Sequence, residues 1–179
     1  MADLALGDAA PDFDLPDLDG ARVRLSEAMG SNGAVVAFIC NHCPYVKRVI
    51  TELVADAATL KAQGVALFAV MSNDYAAYPA DAPARMAEFA QAHGFGFPYL
   101  LDEDQSVARA YGAVCTPEFF GLGPDSRLRY RGRLDDRGGA PSAVGTRTPE
   151  LVNAMTLVAE TGAGPAEQHA ALGCSIKWR

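Results

Sequence analysis

Cysteine is scarce in this chain: four in 179 residues, Cys40, Cys43, Cys115 and Cys174, unevenly spaced. That is too sparse for a disulfide scaffold, and a chain of this length buries about 70% of its unfolded surface without such staples. Positive charge is also in short supply, with 15 Lys and Arg against 22 Asp and Glu, a net charge of −7. There is no Lys/Arg run, so the electrostatic footprint of a nucleic-acid binder or a polybasic membrane contact is missing. No stretch approaches the roughly 18 consecutive apolar residues of a membrane span. The N-terminus, Met1 to Asp8, is acidic and lacks the apolar run of a secretory leader. The expectation is a cytoplasmic, reducing setting. Half of the residues are hydrophobic and 21% are charged, which excludes intrinsic disorder and points to one globular domain over 1–179.

Turn signals at Ala10-Pro11-Asp12, Leu15-Pro16-Asp17 and Asp19-Gly20 punctuate residues 1–30. The alternating pieces between them predict an N-terminal hairpin extension turning at Asp19-Gly20. Ala34 to Ile39 is a β-branched apolar run, so a central strand. A helix follows, opened by Pro44 and ended by Gly64, with Val46, Val49, Ile50, Leu53, Val54, Ala57 and Leu60 at helical spacing. Val65 to Met71 is a second buried strand, completing a right-handed β–α–β unit. Next come a helix over 82–92, a strand over 97–101 and a short helix over 104–111 with Asp104 as its cap. Glu118 to Leu122 and Arg127 to Arg131 predict an antiparallel hairpin, and 132–147 a loop. Thr148 as cap and Pro149 at the first position start the last helix. The tail over 165–179 alternates Ile176 and Trp178 with Ser175 and Lys177, so it should dock rather than wave in solvent. The order describes an α/β fold with a mixed central sheet and helices on both faces, the thioredoxin-like arrangement.

Cys40-Asn41-His42-Cys43 sits where the first central strand hands over to its helix. A thiolate is the nucleophile in thiol chemistry, and a helix N-terminus supplies partial positive charge and free N–H groups to stabilise it. Two intervening residues let the sulfurs close a disulfide within one helical turn. His42, when protonated, would add a cation beside the pair. Zinc binding is the competing use of two such cysteines, but Cys115, Cys174, His93 and His169 supply no second pair at a typical ligand spacing. Other candidates have plainer roles. Arg127, Arg129, Arg131 and Arg133 read as a solvated strand face, and Glu52 and Asp56 as exposed charges on the first long helix. His93 suits a helix end.

The chain is similar to the thioredoxin-like superfamily and, within it, to the redoxin or peroxiredoxin-like branch. The segments that carry the resemblance are Ala10 to Leu15 with Asp19-Gly20 and Val23 to Leu25, Cys40 to Val46, Val114 to Phe120, Tyr130 to Asp136 and Gly173 to Trp178. The resemblance implies a thioredoxin fold, Cys40 as the attacking thiol, Cys43 as the resolving thiol, and Pro117 in a cis peptide after Thr116. It also implies that backbone groups at Thr116 are free to align a substrate. One departure matters. In the peroxiredoxin pattern P-x-x-x-T-x-x-C ending at Cys43, the proline position holds Val36 and the threonine position holds Cys40. Dithiol–disulfide exchange is therefore expected ahead of a thiol peroxidase, and ahead of a non-catalytic module that binds a metal or partner. The expected partners are a protein or small-molecule disulfide and a thiol reductant, with no cofactor or metal; oligomeric state is left open. Cys115, next to Thr116-Pro117, and Cys174, in the tail, are either small packed residues or auxiliary thiols.

Overall fold

The computed structural model of the protein describes residues 4–138 and 146–179. Met1 to Asp3 and part of the loop expected over 132–147 lie outside the described residues. The N-terminal hairpin pairs β1 (Asp14–Pro16) with β2 (Arg22–Arg24). Its turn is shaped by Asp17, whose Oδ1 accepts from the Asp19 and Ala21 N–H groups, each at 2.9 Å. Gly20 takes φ +82° there, a conformation that costs glycine little. A single turn, α1 (Leu25–Ala28), leads to β3 (Gly33–Phe38), α2 (Pro44–Ala62) and β4 (Val65–Met71). A 3₁₀ turn over Pro79–Asp81 precedes α3 (Pro83–His93), β5 (Tyr99–Leu101) and α4 (Ser106–Tyr111). Then come β6 (Cys115–Thr116), β7 (Glu118–Leu122), β8 (Leu128–Gly132), α5 (Glu150–Thr161) and β9 (Cys174–Ser175).

The main sheet has the order β5-β4-β3-β7-β8, with β3 parallel to β4 and antiparallel to β7. This is the mixed sheet expected of a thioredoxin-like fold. Every residue of β3 is buried, because both faces are covered. Val35 and Ala37 face a cluster built from α2, α3 and α5, including Ile50, Leu53, Met86 and Met155. Ala34, Val36 and Phe38 face the other, with Phe13 and Leu15 of the N-terminal segment, Tyr111 of α4 and Ile176 of the tail. At about 1.5–3 kcal/mol for each large apolar side chain fully buried, these two layers fix β3 and hence the residues at its C-terminal end. β6 and β9 form a separate two-stranded ribbon.

Several local expectations differ from the structure. Asp104 does not cap α4 alone: its Oδ1 accepts from Ser106 N at 2.9 Å, while the buried Asp102 carboxylate takes Val107 N (3.2 Å) and Ala108 N (2.9 Å). Thr148 does not cap α5, because it is tied backward to Asp136 through the Thr148 N–Oδ1 bond at 2.9 Å, and the helix starts at Glu150. Of the four arginines read as a solvated face, Arg127 is exposed, but Arg131 and Arg133 are not free in solvent. Arg131 bonds the buried Glu118 carboxylate at 2.9 Å and Arg133 bonds Glu150 at 2.7 Å. Asp56 is buried too, in an ion pair with Arg147, which also reaches Asp135 at 2.6 Å. In each case a partner distant in sequence supplied the countercharge that makes burial tolerable.

Candidate active site

The strand β3 runs out at Phe38, and Ile39 to His42 carry the chain across its C-terminal end to α2. Cys43 occupies the N-cap position of α2 with extended backbone (φ −65°, ψ 123°), and Pro44 follows at the first helical position. Proline costs nothing there, since that N–H has no helical partner. No side-chain oxygen caps this helix. The Cys43 sulfur therefore sits at the open N-terminus of α2, where the Val46 N–H helps to favour its thiolate.

Four donors act on that sulfur, the Cys174 N–H the weakest of them. The Cys40 thiol is the strongest influence, the Cys174 thiol the next, and the Val46 N–H adds to them; together they pull Cys43 down to about 4 against its burial. Cys40 moves the other way. Cys43, then burial and the Asp81 carboxylate, push it well above the ordinary thiol range. As a thiol, Cys43 can donate to the Thr116 carbonyl at 3.2 Å, and Cys40 Sγ lies 3.4 Å from Thr116 Oγ1. Where the resemblance gives the attacking role to Cys40, the electrostatics place the charge of the reduced pair on Cys43. All four cysteines are free thiols.

His42 does not act as a lone cation. Its Nδ1 is 2.6 Å from Asp81 Oδ2, and its ring stacks on Tyr78 at 5.9 Å. Asp81 is fully buried and also accepts from Asn41 N (2.8 Å), His42 N (3.3 Å) and Asn73 Nδ2 (2.9 Å). Asn41 is held in turn by Tyr99, whose hydroxyl donates to Oδ1 at 2.8 Å. Asp81 thus rigidifies the Cys40–Cys43 loop and brings a negative charge with it, offsetting the help expected from His42. Asn41, Asn73, Asp81 and Tyr99 escaped the sequence reading. Asn73 carries one signal, its place just past β4, but the segment bearing Asp81 has none. Ligand atoms of Cys40, His42 and Asp81 lie within 4.8 Å of one another and are the group among the described residues that could hold a metal ion. The carboxylate oxygens are already engaged by four N–H contacts.

The Thr116–Pro117 peptide is cis, as the resemblance implies. The backbone of Thr116 is not free, however. It pairs with Cys174 across the β6–β9 ribbon, which places Cys174 Sγ 3.0 Å from Cys43 Sγ. Of the two candidate auxiliary thiols, Cys174 therefore joins the pair. Cys115 alternates to the other face of β6; its sulfur is 4.0 Å from the Pro117 carbonyl, and burial, then Glu118, push it up to about 12. Gly173 is a further residue the sequence did not single out. A Cβ there would lie 2.1 Å from the Thr116 carbonyl oxygen, so only glycine allows this approach. In the tail, Ile176 is buried, while Trp178 is 40% exposed and holds Arg109 over its ring at 4.4 Å.

Comparison with known proteins places this geometry. The model of the AhpC/TSA family matches residues 6–131. An uncharacterized conserved protein from Geobacillus kaustophilus superposes with a TM-score of 0.92 at 41% identity, covering 98% of this chain and 93% of that one. Peroxiredoxin Bcp of Escherichia coli K12 is 28% identical over 138 residues, 77% of this chain and 83% of its own. The thiol-disulfide oxidoreductase ResA of Bacillus subtilis 168 is 28% identical over 122 residues, 68% of this chain and 64% of its own.

Proposed function

The chain belongs to the AhpC/TSA family, and from that premise we propose that it is a thiol–disulfide oxidoreductase whose Cys40–Cys43 pair exchanges electrons with a disulfide substrate and a thiol reductant. The observation that carries this reading is the pair of sulfurs at the start of α2. Cys43 sits at the N-cap position and is favoured as a thiolate, and Cys40, beside it on Thr116, is favoured as a thiol. When Cys43 bonds to a partner's sulfur, Cys40 is in place to attack Cys43 and release that partner reduced, leaving the Cys40–Cys43 disulfide. The relatives named as thiol-disulfide oxidoreductase and peroxiredoxin support a redox role of this kind. Insulin reduction, followed by turbidity with dithiothreitol as reductant, tests it. The wild type should accelerate precipitation, while the Cys40→Ser/Cys43→Ser double variant should fall to the uncatalysed rate. Activity retained in the double variant would defeat the reading.

A thiol peroxidase is the second reading, favoured by the low position of Cys43. Its weakness is chemical: Cys40 and Val36 stand where the peroxide-binding pattern has threonine and proline. Stopped-flow mixing with hydrogen peroxide separates the two. The exchange reading expects slow, ordinary-thiol oxidation; a fast second-order loss of the Cys43 thiolate would select the peroxidase.

A further inference from the structure

Three sulfurs form a row at Thr116: Cys40 Sγ lies 3.4 Å from its Oγ1, Cys43 Sγ 3.2 Å from its carbonyl oxygen, and Cys174 Sγ 3.0 Å from Cys43 Sγ. The row is unevenly exposed. Cys40 is 1% and Cys43 0% exposed, whereas Cys174 is the member that retains surface. The tail closes the other two off, filling the Thr116 edge where a substrate strand would otherwise align. That docking is specific rather than incidental. Ile176 N donates to Val114 O at 3.2 Å, Lys177 N to Asn73 Oδ1 at 2.9 Å, and Gln105 Nε2 to Lys177 O at 2.8 Å. Asp74 N donates to Lys177 O at 2.8 Å, and Arg179 N to Gln105 Oε1 at 3.0 Å. Val114, whose carbonyl anchors the tail, and Leu172, two residues before Cys174, are both exposed apolar side chains. A molecule approaching from solvent meets the tail first, and the sulfur it meets is Cys174.

We infer that Cys174 is the sulfur through which the buried Cys40–Cys43 pair exchanges with thiols and disulfides outside the protein. This rests on the exchange reading above. Starting from the Cys40–Cys43 disulfide, the Cys174 thiolate attacks Cys43 Sγ. The Cys43–Cys174 bond forms, the Cys40–Cys43 bond breaks, and Cys40 leaves with the electron pair and takes up the proton that Cys174 gave up. One disulfide has become another, with no net oxidation. The sulfurs need to close from 3.0 Å to a bond of about 2.05 Å, a movement a side chain can make. An external dithiol then attacks Cys174 Sγ through one of its thiolates. The Cys43–Cys174 bond breaks, Cys43 leaves as the thiolate, and a mixed disulfide joins Cys174 to the dithiol. The second thiol attacks the sulfur bonded to Cys174 and releases it. The dithiol has lost two electrons and two protons; Cys174 regains one proton and solvent takes the other. Run backward, the same route reduces an external disulfide.

The electrostatics suit both halves. A sulfur that is stable as a thiolate is the better leaving group, and that is Cys43. Cys174 is pushed up to about 11 by burial and then by Cys43, and the Cys43 contribution disappears once Cys43 is in a disulfide. Cys174 is therefore most easily ionised when it has to attack.

Two measurements on the full chain test this. In Cys40→Ser oxidised with diamide, peptide mass mapping should find a Cys43–Cys174 link. In stopped-flow reduction by glutathione, oxidised Cys174→Ser should react about tenfold or more slowly than the wild type, because its disulfide has lost the exposed sulfur. Either a Cys174 that stays a free thiol in Cys40→Ser, or a Cys174→Ser variant reduced as fast as the wild type or faster, overturns the inference. The second result would make the tail a cover and nothing more. The exchange reading has its own outcome. It survives if Cys174→Ser still closes Cys40–Cys43 on oxidation, and fails if that disulfide forms in neither the wild type nor this variant.

Discussion

Cys43 owes its thiolate to neighbours that are themselves thiols and to backbone N–H groups, not to a fixed cation. The charge should therefore be visible without any partner present. In the reduced protein, thiolate absorbance at 240 nm should rise around pH 4, and Cys43→Ser should abolish that step. A first rise only near pH 8–9, the ordinary thiol range, would contradict it. Asp81 makes the complementary case. It is fully buried, with four N–H contacts on its carboxylate, so Asp81→Ala strands Asn41 N and Asn73 Nδ2 in the interior. A loss of about 1–3 kcal/mol in urea unfolding is expected, as for a buried donor left unpaired. The same variant removes the charge that pushes Cys40 up, so Cys40 should ionise at lower pH than in the wild type.

At the scale of elements, the β6–β9 ribbon is the piece that converts a common sheet into this particular site. Gly173→Ala tests it directly, because the added methyl collides with the Thr116 carbonyl. Forcing that clash costs about 1–3 kcal/mol or displaces the strand, and displacement should make Cys43 faster to alkylate with iodoacetamide. An unchanged alkylation rate with unchanged stability would mean that the ribbon is not closed in solution. β3, α2 and β4 were legible in the sequence because their apolar spacing is local and strong, and Cys43-Pro44 at the junction reads directly as a helix start. That the tail docks was legible too, but the place of Gly173 and Cys174 against Thr116 was not. A two-residue strand leaves no periodicity to read, and what holds it, Asn73, Gln105 and Val114, lies far away in sequence. The same reason hid Asp81 and misassigned Asp56, whose polar character gave no hint of the Arg147 that pairs with it.

For the whole molecule, the Cys43 shift is also a statement about stability. Its folded value lies below the ordinary 9, so between about pH 4 and 9 the unfolded chain binds more protons and stability rises with pH. The contribution is complete above the unfolded value and is lost as pH falls toward 4. Cys174 has the opposite sign and acts only above the ordinary range, between 9 and about 11, where ionisation favours unfolding. The melting temperature of the reduced wild type, minus that of Cys43→Ser, should therefore widen from pH 5 to pH 8. A constant difference would mean that Cys43 ionises alike in both states.

The middle place of Cys43 among three sulfurs has a statistical consequence. If both closures form, Cys40–Cys43 and Cys43–Cys174 are isomers of one oxidation state, so a redox buffer counts their electrons without telling them apart. Equilibration would return a single two-electron wave whose midpoint belongs to the row. Two equally stable closures double the weight of the oxidised form, placing the midpoint about 9 mV below that of either closure alone, since a tenfold change in a two-electron equilibrium is about 30 mV.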